Sequence, residues 1–96
     1  MKILAMEEDI PGAANTDASA LLLDEARAVW ELMQAGTIRE IYFREGQTRA
    51  VIILEAESDA EAEAILARLP LVKAGRTRFG IIGVRPYPGF ERRFAA

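Results

Sequence analysis

The run Ala50-Val51-Ile52-Ile53-Leu54 constrains the fold most, because it is apolar at every position. A run this short, next to a glycine-containing turn, is typical of a strand that is buried on both faces. The chain has 96 residues, enough for one domain with one core and too few for two. This strand therefore needs cover on both sides, from other elements or from another chain.

The segments before this run predict a strand, a helix and a second strand. The segment 1–7 is short and mostly apolar, which indicates a buried strand. The next apolar residues recur at three- and four-residue spacing and end at Gly36, where a left-handed C-cap fits, so they predict an amphipathic helix. Its N-cap oxygens are expected from Asn15, Thr16 or Asp17. The segment 38–44 predicts a strand that a turn around Gly46 joins to the apolar run as a hairpin.

The segments after this run predict a second helix and a last strand. Ser58 and Glu61 have the spacing of a capping box, which opens a helix over 59–69 that Pro70 follows. Residues 77–85 predict the last strand, in which Gly80 and Gly83 indicate a bulge or a close backbone approach. The tail that begins Pro86-Tyr87-Pro88-Gly89-Phe90 is expected to lack regular structure.

The element order is strand, helix, strand, strand, helix, strand (βαββαβ). This order is typical of the α+β ferredoxin-like fold, a split βαβ arrangement with a four-stranded antiparallel sheet and two helices on one face. The other face stays open, and Leu4 and Met6 alternate with Ile3 and Ala5, so both faces are apolar. Monomers rarely expose such a face. We therefore predict a homodimer, or a higher oligomer, in which two sheets pack together.

Composition and charge exclude several functions. The chain has 12 basic and 15 acidic side chains in a mixed pattern, which argues against nucleic-acid binding. No apolar run approaches the roughly 20 residues that a bilayer requires, and the N-terminus turns acidic where a signal peptide would stay apolar, so a cytoplasmic protein is predicted. Cysteine and histidine are absent, which excludes thiol nucleophiles, Cys/His zinc sites and imidazole bases. No metal and no other cofactor is expected.

Glu40, Tyr42 and Arg44 alternate along one predicted strand, so they are expected on one face of the sheet. Glu40 would act as acid or base, Tyr42 would stabilise an enolate oxygen and Arg44 would anchor an anionic group. The alternative is that Arg39, Glu40 and Arg44 form ion pairs at a sheet edge or a dimer interface.

Other residues also have two interpretations. Trp30, the only tryptophan, is either part of the core or the apolar wall of a pocket between helix and sheet. The aromatic residues of the tail, residues 86–96, would pack on a partner subunit or cover the pocket, to which Tyr87 would contribute. The acidic run from Glu7 to Asp9 is expected to be a solvated loop rather than a metal site. Glu25 is expected in solvent, or at the mouth of a pocket.

The stretch AGTIREIYFREGQTRAVIILEAES (35–58) and the stretch LARLPLVKAG (66–75) resemble the muconolactone isomerase-like family of dimeric α/β barrels. The resemblance covers roughly residues 20 to 88. It implies a barrel built from two four-stranded sheets and a superfamily of lactone isomerases, cofactor-free monooxygenases and dehalogenases. The isomerase, as the resemblance has it, carries histidines where this chain has Glu40 and Tyr87, so the resemblance does not extend to muconolactone as the substrate.

Three functions follow from these observations. The first is a cofactor-independent isomerase, or a cofactor-free monooxygenase, that acts on a small, partly apolar carbonyl or lactone compound. The second is a dimer that binds a small molecule, or has a structural role, without turnover. The third is an interaction module whose apolar sheet face binds a different protein.

Overall fold

A computed structural model describes residues 1–13 and 18–95, so the predicted N-cap residues Asn15, Thr16 and Asp17 lie outside the described residues. Four strands form one antiparallel sheet in the order β2-β3-β1-β4. The strands are β1 (Lys2–Glu8), β2 (Ile38–Phe43), β3 (Ala50–Glu55) and β4 (Arg78–Val84). The helices are α1 (Ser19–Gln34), α2 (Asp59–Leu66), α3 (Pro70–Lys73) and α4 (Glu91–Phe94), and a 3-10 helix spans Pro88–Phe90. This is the ferredoxin-like α+β fold that the element order predicts.

The ends of α1 and α2 follow the predicted capping chemistry in part. Gly36 has a φ of 77°, and the N–H groups of Gly36 and Thr37 donate to the carbonyls of Met33 and Leu32, a Schellman motif. The Ser58 hydroxyl accepts the N–H of Glu61 at 3.1 Å. The Glu61 carboxylate accepts the N–H of Glu57 rather than that of Ser58, so the box is one residue wider than its usual form.

Two segments differ from the sequence expectation. The second helix stops at Leu66 and the chain re-enters a helix at Pro70, because proline fits the first turn of a new helix and cannot continue an old one. The tail was expected to lack regular structure, which is wrong: residues 88–94 form the 3-10 helix and α4. The ring of Tyr87 packs edge to face on Phe90, with centroids 5.1 Å apart.

The core lies between the sheet and the helices. Ile3, Ala5, Ile52 and Leu54 point from β1 and β3 towards the helices and are fully or almost fully buried. The intervening residues point to the open face, where Ile82 is 50% exposed. In β3 every second residue is buried and the residues between them are only partly buried, so the second apolar side of this strand is less well covered within the chain. Within residues 1–13 and 18–95, no helix is long and apolar enough to cross a membrane.

A bulge lies in β2 rather than in β4. Residues 78–84 of β4 pair regularly with β1, whereas the pairing of β2 shifts between Ile38 and Glu40. At Gly83 the prediction of a close approach holds, because an added Cβ would lie 2.9 Å from Oδ1 of Asp59. The bulge decides where the side chains of β2 point, as described below.

Candidate functional site

A cavity of about 880 Å³ lies between α1 and the helix-side face of the sheet. Its roof is the inner face of α1, from Leu22 to Met33, and its floor includes Ile41, Ala50 and Ile52. No residue of α1 is fully buried, because the helix covers this space instead of packing tightly on the sheet. Its walls are mainly apolar, and few polar groups face the interior.

Glu7 fixes one part of the floor. Its carboxylate accepts the backbone N–H of Ala50 at 2.7 Å and the hydroxyl of Thr77 at 2.8 Å, so it connects β1 with β3 and with the residue that precedes β4. Ala50 and Thr77 are only 7% and 8% exposed, and water has little access to these two donors. Glu7 therefore belongs to β1 and to the cavity wall and not to a solvated loop, which corrects the expectation for this residue.

Glu25 enters the cavity from α1. Its Oε1 accepts the backbone N–H of Leu71 at the start of α3 at 3.0 Å. Burial in the cavity wall raises the pKa of Glu25, the hydrogen bond from Leu71 opposes this rise, and the nearby charge of Glu7 adds to it. A carboxyl group with a raised pKa in an apolar cavity has the properties of a general acid or base.

Two arginines complete the polar part of the cavity. The guanidinium of Arg49 pairs with Asp9 at 2.5 Å, and this carboxylate raises the pKa of Arg49. Arg76 also lines the cavity and is engaged within the chain. Among the described residues, no group of three or more acidic side chains is arranged to hold a metal ion.

Trp30 lies at the rim of the cavity and is 63% exposed, so it is not a core residue. Phe43, at the end of β2, is 66% exposed and lines the same cavity. Trp30 thus occupies the position expected for a pocket wall between helix and sheet. Its role in substrate binding remains a prediction.

Glu40 and Tyr42 lie together on the opposite face of the sheet. The Tyr42 hydroxyl donates to Oε1 of Glu40 at 2.7 Å, and this bond to the carboxylate raises the pKa of Tyr42. They pair with Ile53 and Val51, whose side chains point to the open face. The structure therefore brings Glu40 and Tyr42 together but does not bring them to Trp30.

Arg44 forms its hydrogen bond with β1 rather than with Glu40 or Tyr42. One of its terminal nitrogens donates to the carbonyl of Glu7 at 3.1 Å, and its Nε is buried without a hydrogen-bond partner among the described residues. Within residues 1–13 and 18–95, neither Arg39, Glu40 nor Arg44 forms an ion pair. The anchoring role of Arg44 and the catalytic roles of Glu40 and Tyr42 stay predictions.

Tyr87 lies in the tail, away from the cavity lining. Tyr87, Phe90 and Phe94 are all exposed. Tyr87 packs on Phe90, and the ring of Phe94 lies 5.8 Å from the guanidinium carbon of Arg93. Gly89 lies so close to the Tyr87 ring that a Cβ would collide with it. The tail therefore presents aromatic side chains on the surface of the described residues.

The carboxylates that face the cavity were not selected from the sequence as catalytic candidates. Glu7 ends an apolar strand whose alternation with Ile3 and Ala5 places it on the core face, which was the available signal. Glu25 lies three and four residues from Leu22, Leu21 and Val29 on the helix, at the edge of the apolar stripe. Its hydrogen bond to α3 depends on a tertiary contact that has no local pattern.

An antiparallel sheet covered on one face by helices, with a cavity beneath the first helix, defines a ferredoxin-like α+β protein with an internal ligand-sized site. The family model for muconolactone delta-isomerase matches residues 4–86. The chain therefore belongs to the muconolactone delta-isomerase family. This confirms the family resemblance that the two sequence stretches indicated.

Two solved structures are similar to this chain. The crystal structure of muconolactone isomerase superposes with a TM-score of 0.75 and 21% identity, over 92% of each chain. The 5-chloro-2-hydroxyhydroquinone dehydrochlorinase of Burkholderia phenoliruptrix AC1100, in complex with 2,5-dihydroxybenzoquinone, has a TM-score of 0.62 and 20% identity, over 93% of this chain and 98% of that one. No relative was found among curated protein sequences. At these identities the structural matches establish the fold.

Proposed function

We propose that the protein is a cofactor-independent isomerase that moves a proton within a small lactone or carbonyl compound bound in the cavity. One observation carries this proposal: Glu25 is a carboxyl group with a raised pKa that faces an apolar cavity of ligand size. Membership of the muconolactone delta-isomerase family supports the same reaction class.

The proposed reaction needs only one group that exchanges a proton. The carboxylate of Glu25 takes a proton from the carbon next to the substrate carbonyl, and the electron pair of that C–H bond moves into an enolate. The resulting carboxylic acid returns the proton to a conjugated carbon, so the double bond shifts and Glu25 is regenerated. No atom is gained and no electron leaves the substrate, so no co-substrate is required. A raised pKa brings the carboxyl group closer to neutrality, where it can act in both directions.

The open face carries a second candidate for the proton transfer. Glu40 and Tyr42 are joined by a short hydrogen bond there, and a partner subunit would enclose them. In this version Glu40 is the acid or base, Tyr42 stabilises the enolate oxygen, and Arg44 and Tyr87 bind the substrate. The two versions differ in which carboxyl group is required, so they can be separated by single substitutions.

The oligomeric state is part of this proposal. The open face presents Leu4, Met6, Ile53 and Ile82 as one apolar surface, and a second copy with the same surface would bury it in a two-fold dimer. The exposed aromatic residues of the tail are proposed to pack on this partner or over the cavity. A higher oligomer built from such dimers is compatible with the same surface.

A binding protein without turnover is the alternative. The cavity would hold a ligand whether or not Glu25 transfers a proton. The dehydrochlorinase structure contains 2,5-dihydroxybenzoquinone, an oxygenated ring compound, which makes this quinone a suitable first probe. Stabilisation of the protein by the quinone without any exchange or turnover would favour the binding function.

Solvent deuterium exchange tests the isomerase proposal directly. The full chain is incubated in D₂O with α-angelica lactone, a β,γ-unsaturated lactone, or with 2-tetralone, and incorporation next to the carbonyl is followed by proton NMR. Glu25→Gln keeps the shape and removes the base, so the catalysed rate should fall by about 10²–10⁴. Glu40→Gln is the matched control and should keep the rate. Loss of exchange in Glu40→Gln with full exchange in Glu25→Gln would move the reaction to the open face.

A further inference from the structure

The cavity is larger than a single-ring substrate requires. Its volume of about 880 Å³ lies near the upper end of the roughly 300–1,000 Å³ range of pockets that hold drug-sized ligands. Trp30 and Phe43 at the rim are both more than half exposed, so part of their aromatic surface is available to a ligand. A small lactone would leave most of this apolar surface in water.

The polar and apolar groups occupy different sides of the cavity. Glu25 and Trp30 are five positions apart on α1, which separates them by roughly 140° around the helix axis. Glu25 faces α3 through its bond to Leu71, so Trp30 lies on the other flank. Glu7 and Thr77 lie on the same side as Glu25, whereas Phe43 and Ile41 lie on the side of β2.

The sheet register gives the distance between these two sides. Phe43 pairs with Ala50, and Ala50 donates its N–H to Glu7 on the next strand, so the three residues cross β2, β3 and β1 in turn. Two strand spacings correspond to about 10 Å. The backbones of Glu7 and Phe43 lie this far apart, but the Glu7 carboxylate spans about half of the distance to reach Ala50. The cavity volume, rather than this width, therefore favours a ligand of more than one ring.

The charges in the cavity favour a neutral ligand. Glu7 and Glu25 both face the interior, and their mutual repulsion is one cause of the raised pKa of Glu25. The guanidinium of Arg49 is already paired with Asp9, and Arg76 is engaged within the chain. The cavity lining therefore carries two carboxyl groups and two arginines, so it offers an anionic ligand no excess of positive charge.

We infer that the substrate is a neutral compound of two or more fused or linked rings that carries a carbonyl or hydroxyl group at one end. The oxygenated end lies at Glu7 and Glu25, and the apolar rings lie between Trp30 and Phe43. The assignment of the reacting end rests on the proposed function; the size and neutrality of the ligand rest on the cavity alone.

Isothermal titration calorimetry of the full chain at pH 7 with phenol, 2-naphthol and 2-naphthoate tests this inference. We expect 2-naphthol to bind at least tenfold more tightly than phenol, and 2-naphthoate at least tenfold more weakly than 2-naphthol. Dissociation constants for phenol and 2-naphthol within threefold of each other would overturn the inference on size. Tighter binding of 2-naphthoate than of 2-naphthol would overturn the inference on charge.

Two variants distinguish the cavity from the other apolar surface. Phe43→Ala should remove most of the preference for 2-naphthol, whereas Ile82→Ala, on the open face, should preserve it. The opposite pattern would place the rings on the open face and overturn the inference. The binding test and the isomerase test can fail separately. Loss of exchange in Glu25→Gln with equal binding of phenol and 2-naphthol would support the isomerase reaction and reject this substrate class. Tighter binding of 2-naphthol without Glu25-dependent exchange would support the substrate class and reject the isomerase reaction.

Discussion

The carboxylate of Glu7 is a structural connection whose removal has a large expected cost. It accepts two hydrogen bonds, from the N–H of Ala50 and the hydroxyl of Thr77, and both partners are almost fully buried. Glu7→Ala leaves both donors without this acceptor. Thr77 retains a weaker alternative, the carbonyl of Glu8 at 3.2 Å, whereas the acceptor of the Ala50 N–H is the Glu7 carboxylate itself.

The magnitude follows from these two bonds. Hydrogen bonds to a charged group contribute about 1.5–3 kcal/mol each. The cavity admits some water after truncation, and Thr77 can turn to Glu8, so we expect a total loss of about 2–4 kcal/mol in the free energy of unfolding. A domain of this size has a stability of about 5–14 kcal/mol, so the variant should still fold.

Urea denaturation followed by circular dichroism measures this loss. With a slope near 2 kcal/mol per molar urea, the midpoint should fall by about 1–2 M. Glu8→Ala is the matched control: its carboxylate is about half exposed and lies 3.8 Å from Nε of Arg78, so its removal should cost below about 1 kcal/mol. Equal costs for Glu7→Ala and Glu8→Ala would refute the reasoning. So would strictly additive effects of Glu7→Ala and Thr77→Val, because residues that share a hydrogen bond should couple.

Three further predictions concern pH, the α1 terminus and the open face. The folded pKa of Glu25 lies above the ordinary glutamate value of 4.5, so the stability from its protonated form is complete below that value and is lost as the pH rises through the folded pKa. Urea midpoints of the wild-type chain should therefore fall from pH 4 to 8 relative to those of Glu25→Gln. Parallel pH profiles of the two proteins would reject the raised pKa. Gly36→Ala places a Cβ at a φ of 77° and should cost about 1–2 kcal/mol, seen as a lower thermal midpoint; an unchanged midpoint would argue against the left-handed cap. Ile82→Lys should convert a dimer to a monomer in sedimentation velocity, and a wild-type species of 10.6 kDa at micromolar concentration would contradict the dimer itself.

The sequence predicts the element order because each element has a strong local signal. The unbroken apolar run identifies the central strand β3, and the left-handed Gly36 ends α1 where expected. The local signals do not predict the split between α2 and α3. The apolar pattern continues through Leu69 and suggests one helix, whereas Pro70 starts a new one.

The location of Glu40 and Tyr42 could not be obtained from alternation alone. Strict alternation from the buried Ile38 would place both side chains on the core face, next to the cavity. The bulge between Ile38 and Glu40 shifts the register by one residue and moves both to the open face. The two consecutive charges Arg39 and Glu40, between Ile38 and Ile41, are the local sign of this irregularity.

Glu7 and Glu25 could not be assigned together for a different reason. They are 18 positions apart in the sequence and meet only because β1 and α1 face each other across the cavity. Their hydrogen bonds reach Ala50, Leu71 and Thr77, which are distant along the chain. Such contacts depend on the tertiary fold, and no motif or spacing encodes them.

The most direct test of this account is the pKa of the Glu25 side chain, measured by carbon-detected NMR titration of the glutamate carboxyl groups in the full chain. Glu25→Gln identifies the resonance by its loss, and Glu7→Gln removes the neighbouring charge. We predict a Glu25 midpoint above 4.5 that falls when Glu7 is replaced. A midpoint at or below 4.5, unchanged by Glu7→Gln, would contradict a desolvated carboxyl group in the cavity and with it the proposed site of proton transfer.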